Sequence, residues 1–312
     1  MEITSPPTLA IDLALVGSGH GATGGHASGP GPATCLNCGT LVPERFCGHC
    51  GQDAHHTHRL TMAHMLHEVP HSIWHVDKGI VYSLRNLLLR PGATIRGYLA
   101  GQRKPHFPPL SLLLLVTGIY AFLSAVLHID LTPPRDPAVP EAVWQMQKTS
   151  TALLAKYLSW YYVALVPIIA AFARLFLRLG GYNYAECLVM VAFVTGACNF
   201  LTLLAMPLTY VFSGTPQIQQ VSFAVSALSL GYATWAYGSM LAHTGLSLAG
   251  RLLRGFFPFV LGIFLPPLLI GILWMSLQPD AVKKQIIEQQ RRQRQAQTTA
   301  APAPARPVAP AH

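Results

Sequence analysis

The residues best suited to chemistry in this chain are four cysteines in the stretch CLNCGTLVPERFCGHCG. Cys35 and Cys38 form one CxxC pair and Cys47 and Cys50 a second, with eight residues between the pairs. Gly39 and Gly51 follow the pairs, where a glycine permits the turn that aims backbone amides at thiolate sulfur. Four thiolates in a tetrahedron suit Zn2+, and a closed four-cysteine site keeps no open coordination position, so the expected role is structural rather than catalytic. So short a segment has no core of its own, and zinc binding, on the order of 10 kcal/mol or more in small fingers, would supply its folding free energy. A redox dithiol pair is the competing reading of the same letters. His49, inside the second pair, reads as a bystander, and Cys187 and Cys198, single in apolar sequence, as small buried side chains.

A second group follows at once. Seven histidines lie between His55 and His75 inclusive. On a helix, His64, His67, His71 and His75 advance by three or four residues along one face, where two neutral imidazoles at i and i+4 reach one divalent ion. HEVPH matches the H-E-x-x-H pattern, in which His67 and His71 would bind zinc and Glu68 would act as general base on bound water. Pro70 counts against a peptidase, because it removes a helical hydrogen bond between the ligands and kinks or starts the helix. A straight helix also holds the outer histidines about 16 Å apart, so a further ligand must come from elsewhere, with His75 and Glu186 as candidates. The favoured reading is plainer: interfacial histidines bonded to headgroups or neighbouring loops.

The elements around these residues are set by composition. Of 312 residues, 51% are hydrophobic and 11% charged, about half the charged share of a soluble domain. The expected class is therefore a membrane protein, all-α. The net charge of +9 sits beside apolar stretches, which favours anionic lipid headgroups as partner over nucleic acid.

Residues 1–33 are Gly/Ala/Ser/Pro-rich, with little to bury, and read as a disordered tail without a signal peptide. Residues 34–53 form the zinc ribbon and 54–109 a histidine-rich, then basic, interfacial helical segment. Ile80, Val81, Leu84, Leu87 and Leu88 recur at helical spacing opposite Arg85, the pattern of an amphipathic helix in the headgroup region, and Arg90-Pro91-Gly92 ends it. Residues 110–278 are a transmembrane bundle and 279–312 a basic, then Ala/Pro-rich, disordered tail.

Five stretches approach the roughly 20 apolar residues a crossing needs: Leu110 to Leu127, Leu153 to Leu177, Cys187 to Phe212, Val221 to His243 and Phe256 to Leu277. The first two flank a proline-rich acidic loop. Consecutive crossings put the basic ramp before the first span, Arg174 and Arg178, and Arg251 and Arg254 on one face, the cytoplasmic one by the positive-inside rule. The basic tail KKQIIEQQRRQR disagrees, since five crossings place it outside. Glu186 and Asn199, polar and within or beside spans, are the candidates for a path.

CLNCGTLVPERFCGHCGQ, HEVPHSIWHVDKG, LLLRPGATIRGYLAGQRKPHFPPL and YNYAECLVMVAF together resemble a bacterial membrane family catalogued as domain of unknown function 3667. The likeness runs over roughly residues 35 to 245. It implies a zinc ribbon fused to several spans and supplies no activity. Members of the family it resembles often carry histidine where this chain has Cys187; if that histidine is a ligand, the departure puts a metal centre beside Glu186 in doubt, although a thiolate could replace it.

The expected protein is a non-enzymatic inner-membrane scaffold, sensor or accessory with a cytoplasmic ribbon that docks a protein partner. A zinc metallohydrolase acting through Glu68, with His67, His71, His75 and Glu186 around a second metal, is the alternative, and a small-solute or lipid transporter using Glu186 and Asn199 the third.

Overall fold

A computed structural model describes residues 33–54, 60–61, 79–132, 134, 141–277, 291 and 295. The HEVPH segment, with His64, His67, Glu68, Pro70, His71 and His75, lies outside the described residues, as do residues 1–32 and all of the C-terminal tail but 291 and 295. The described chain opens with a two-stranded antiparallel ladder, β1 (Ala33–Thr34) on β2 (Leu41–Val42), in the register Ala33 to Val42 and Thr34 to Leu41. All other described elements are helical.

Helices α1 (Gly79–Leu89) and α2 (Pro91–Leu99) meet at Arg90. Pro91 starts α2 because its missing N–H falls among the unpaired donors of a helix N-terminus. Thr94 Oγ1 then donates to Asn86 O and Arg90 O, bracing the corner. The apolar stripe of α1 is divided between the helical core and the outside, with Val81 exposed. Leu84 and Leu87 are buried in the helical core, and Tyr232 donates to Leu87 O at 3.0 Å. Val81, Tyr82 and Leu89 are the apolar side chains left exposed.

The bundle consists of α3 (Pro109–Val126), α5 (Leu158–Phe176), α6 (Tyr184–Leu204), α8 (Ile218–Met240) and α9 (Leu248–Leu277). Its centre is α6, apolar on every face, with each residue from Ala185 to Asn199 buried. A helix without a polar face finds a place only inside other helices. α3 runs parallel to it, joined where Asn199 Nδ2 donates to Thr117 Oγ1 at 2.7 Å. α8 runs antiparallel, with Cys198 Sγ donating to Ser229 O at 3.5 Å. α9 lies antiparallel to both α5 and α8: Phe176 stacks on Phe257 at 5.0 Å, and a Cβ on Gly255 would come within 2.5 Å of Thr234 O. Only a glycine admits so close a crossing, the usual device where apolar solvent gives helices no hydrophobic drive to associate.

Three described helices are long and apolar enough to cross a membrane, over Pro109–Val126, Tyr184–Leu204 and Leu248–Ile270. The five expected stretches are all helical, but with different limits. α8 has 23 residues, enough for about 34 Å, yet carries Gln219, Gln220 and several hydroxyls. The apolar part of α5 covers Trp160–Phe176. The stretch to Phe212 divides at Ala205 into α6 and a short α7 (Met206–Val211), because Pro207 favours a new start over continuation. The end of the acidic loop is itself a helix, α4 (Glu141–Lys156), separated from α5 at Tyr157.

Alternating directions sort the turns into two ends. At one, Gly214 N donates to Asp130 O and Asp130 N to Ser213 Oγ, joining the turns after α3 and α7. At the other, α2 packs on the end of α8, where a Cβ on Gly92 would come within 2.8 Å of Ser239 O. Arg96 Nη1 donates to Ser239 O at 2.5 Å, a carbonyl that also accepts from Ala242 N, and Tyr182 donates to Met240 O at 3.0 Å, so two side chains are bonded to the last turn of α8. Burial pushes the Tyr182 phenol up to about 12, which keeps it a donor.

Candidate metal centre

The first knuckle is closed by Cys35 N donating to Thr40 O and Gly39 N to Cys35 O; the second repeats it, Cys47 N to Gln52 O and Gly51 N to Cys47 O. Gly39 and Gly51 sit at φ +76° and +71°, the left-handed conformation expected of the residue after each pair. β1 and β2 bracket the first knuckle and an antiparallel bridge between Phe46 and Asp53 brackets the second, with Val42 buried against Cys35 and Cys47.

The four sulfurs converge. Cys35 and Cys50 lie 3.6 Å apart, Cys38 and Cys47 3.5 Å, and the ligand atoms of all four fall within 4.8 Å of one another. A tetrahedron of sulfurs at the usual Zn–S length of about 2.3 Å has edges of about 3.8 Å, so the spacing fits a single tetrahedral ion. Amides point inward as well. Asn37 and Cys38 direct theirs at Cys35, Thr40 at Cys38 and Gln52 at Cys50, while the Asn37 side chain reaches across to Cys50. Without a cation the thiols are unequal: burial pushes Cys35 up to about 11, and the Thr40 hydroxyl holds Cys38 down to about 5. A soft divalent ion is the chemistry that equalises such a set, since all four ligands must be thiolates to bind it.

The knuckles do not hang free. Gln52, 5% exposed, sends Nε2 to Gly101 O at 2.8 Å and accepts at Oε1 from Arg103 N and Lys104 N, both at 3.2 Å. Its own backbone carbonyl closes the second knuckle. Leu36 of the first knuckle packs over Gly101, whose φ of +104° and whose contact with Leu36, 2.6 Å from a would-be Cβ, both demand glycine. Lys104 lies against Gly51, its Nζ 3.8 Å from where a Cβ would stand, placing an ammonium beside the anionic cluster. Asn37 and Gln52 escape a search for ligand spacing; their only sequence signal is a polar amide inside the first CxxC and another just after the second.

The remaining candidates divide. His67, Glu68, His71 and His75 lie outside the described residues. Glu186 is buried and caps α6: its Oε2 accepts from Asn183 N and its N–H donates to Asn183 Oδ1, both at 2.8 Å, a reciprocal capping box. Asn183 Nδ2 also donates to Leu60 O at 3.1 Å, tying the chain beyond the knuckles to the start of α6. Asn199 is spent on Thr117. Among the described residues, the four cysteines form the group of metal-binding side chains.

These features define a helical protein with apolar, span-length helices and a four-cysteine cluster at metal-binding distance, docked on the loop before its first long apolar helix. Residues 77–121 match the family described as Protein of unknown function (DUF3667). Within the described residues the match covers α1, α2, the Gly101–Lys104 loop that receives the knuckles and most of α3. Comparison with curated proteins and with solved structures gives no match.

Proposed function

We propose that this protein is a non-enzymatic component of a bacterial inner membrane, a five-span bundle with a structural zinc ribbon on its cytoplasmic end, acting as a scaffold, sensor or accessory. The observation that carries the reading is Gln52. One residue closes the second knuckle through its backbone and clamps the loop before α3 through its side chain, so the metal centre holds a position on the helical body and keeps no place for a substrate. The basic residues gather at the ribbon's end of the bundle, which supports a cytoplasmic ribbon against an anionic leaflet. Leu41 and Phe46, 63% and 56% exposed on the ribbon, offer apolar contacts to a protein partner.

Metal analysis of the purified chain tests this. One zinc per chain, lost in Cys38→Ser and Cys47→Ser and retained in His67→Ala/His71→Ala, is the expected result. A second metal that disappears with the two histidines would overturn it in favour of the metallohydrolase with Glu68 as base. Labelling of single cysteines placed near Asp130 and near Lys104 reads orientation: reagent confined to the periplasm should modify the first and spare the second.

A further inference from the structure

We propose that hydrogen peroxide oxidises the four-cysteine centre at Cys38, and that Cys47 is the thiolate that resolves the product to a disulfide and releases the metal. This rests on the structural-zinc reading above and gives the sensor within it a chemical input.

The centre is asymmetric toward solvent. Cys35 and Cys47 are each 2% exposed and Cys50 is half-buried, whereas Cys38 is exposed. The way the knuckles dock produces the difference. The turn of the second lies against the loop before α3, with Lys104 beside Gly51. At the tip of the first, a Cβ on Gly39 would meet nothing within 4 Å among the described residues beyond its chain neighbours. Thr40, which follows, is exposed as well. Cys187 and Cys198 are buried in α6. Peroxide therefore meets Cys38 first, since oxidation follows thiolate character and exposure.

Distance selects the resolving partner. Cys47 Sγ lies 3.5 Å from Cys38 Sγ, while Cys35 and Cys50 pair with each other at 3.6 Å. In the first step the Cys38 thiolate attacks one peroxide oxygen: an S–O bond forms, the O–O bond breaks, hydroxide leaves, and the sulfur gives up two electrons to the peroxide. In the second the Cys47 thiolate attacks the sulfenic sulfur, so that an S–S bond forms, the S–O bond breaks and a second hydroxide leaves. Two protons from solvent convert the hydroxides to water. Two thiolates then remain for the ion, half its ligand set, and zinc passes to a competing chelator. Cys47 N is bonded to Gln52 O, and the Gln52 side chain holds Gly101, Arg103 and Lys104, so the disulfide forms at the foot of the clamp on that loop.

The test treats the full-length, zinc-loaded protein in detergent with one equivalent of hydrogen peroxide. A chromogenic chelator reads zinc release, and alkylation with peptide mapping reads thiol pairing. Zinc should leave as a Cys38–Cys47 disulfide forms, with Cys187 and Cys198 still reduced. Cys38→His keeps a three-cysteine, one-histidine set that suits zinc, and it should release the metal at least about tenfold more slowly. Cys47→His should stop at the sulfenic acid, trapped by dimedone on Cys38. Release from Cys38→His at the wild-type rate overturns the proposal, and so does a first disulfide or dimedone adduct elsewhere. The map of the wild type decides the pairing even where a variant fails to fold. Metal content before peroxide reads the structural zinc separately: a chain isolated without zinc refutes that reading, while pairing on the reduced chain still tests Cys38 and Cys47. The Arg103 and Lys104 amides should exchange faster in the oxidised protein, and unchanged exchange overturns its role as an input to the helices.

Discussion

Replacing Gln52 with alanine separates closing the second cysteine knuckle from holding the loop before α3. The backbone of residue 52 still directs its N–H at Cys50 and accepts from Cys47 N, so the knuckles keep their frame. Three hydrogen bonds to Gly101, Arg103 and Lys104 disappear. Each is worth about 0.5–1.5 kcal/mol net. With partial rehydration of the freed groups, the docked state should lose about 2–4 kcal/mol relative to the undocked one. A loss of 2 kcal/mol is a factor of about 30 in an equilibrium constant. Hydrogen exchange on the full-length protein in detergent reads this at the Arg103 and Lys104 amides, which should exchange at least about tenfold faster in Gln52→Ala, with one metal per chain retained. Unchanged exchange would refute the clamp. Loss of the metal with the side chain would show that the amide serves the knuckle and not the loop.

Other perturbations address the bundle and its ribbon end. In a double-mutant cycle on Asn199→Leu and Thr117→Val, thermal or denaturant unfolding in detergent should give a coupling of about 0.6–1.7 kcal/mol, the range for interhelical hydrogen bonds in membranes; no coupling would mean the 2.7 Å contact contributes nothing. Gly255→Leu should cost about 1–3 kcal/mol by forcing α9 off Thr234 and Gly238, seen as a lowered melting temperature. Asn183→Ala should cost about 1 kcal/mol as a lost N-cap, while Glu186→Gln, still able to complete the box, should cost less. His106 lies between the rings of Tyr82 and Tyr98, and burial holds its imidazole below the ordinary value. The unfolded chain therefore takes up the proton at higher pH than the folded one. Its contribution to stability is full above about pH 6.5 and falls as the pH drops below that. His106→Phe should flatten the melting temperature between pH 7 and 5 relative to wild type.

The four cysteines, the two left-handed glycines and the helical stretches were legible in the letters because each rests on local rules: ligand spacing, φ above zero, apolar run length. What failed to show depends on partners distant in sequence. Gln52 meets its loop 49 to 52 residues away, so neither period nor motif marks it. The stripe of Leu84 and Leu87 was visible, but whether an apolar stripe meets lipid or protein depends on what stands opposite, here α6 and Tyr232 of α8. Glu186 looked like a path or ligand residue because a carboxylate beside a span is costly. Asn183, three residues earlier, had already supplied the cheaper explanation of a capping box.

The same distinction explains why the ribbon's end of the bundle carries so much of the polar chemistry. A helix inside apolar surroundings satisfies its own backbone except at its ends. The last carbonyls of α8 accept further bonds from Arg96 and Tyr182, and the first turn of α6 is capped by Asn183 and Glu186. Arg96 belongs to α2, whose following loop Gln52 clamps, so the bonds that close the bundle's end run in sequence into the element that carries the cysteines. Cleaving that relation at Gln52 leaves the bonds at the helix ends intact, whereas removing Arg96 takes a side-chain donor directly from the end of α8. The two variants should therefore part company: Arg96→Ala lowers the melting temperature of the bundle, and Gln52→Ala loosens the loop with little effect on it.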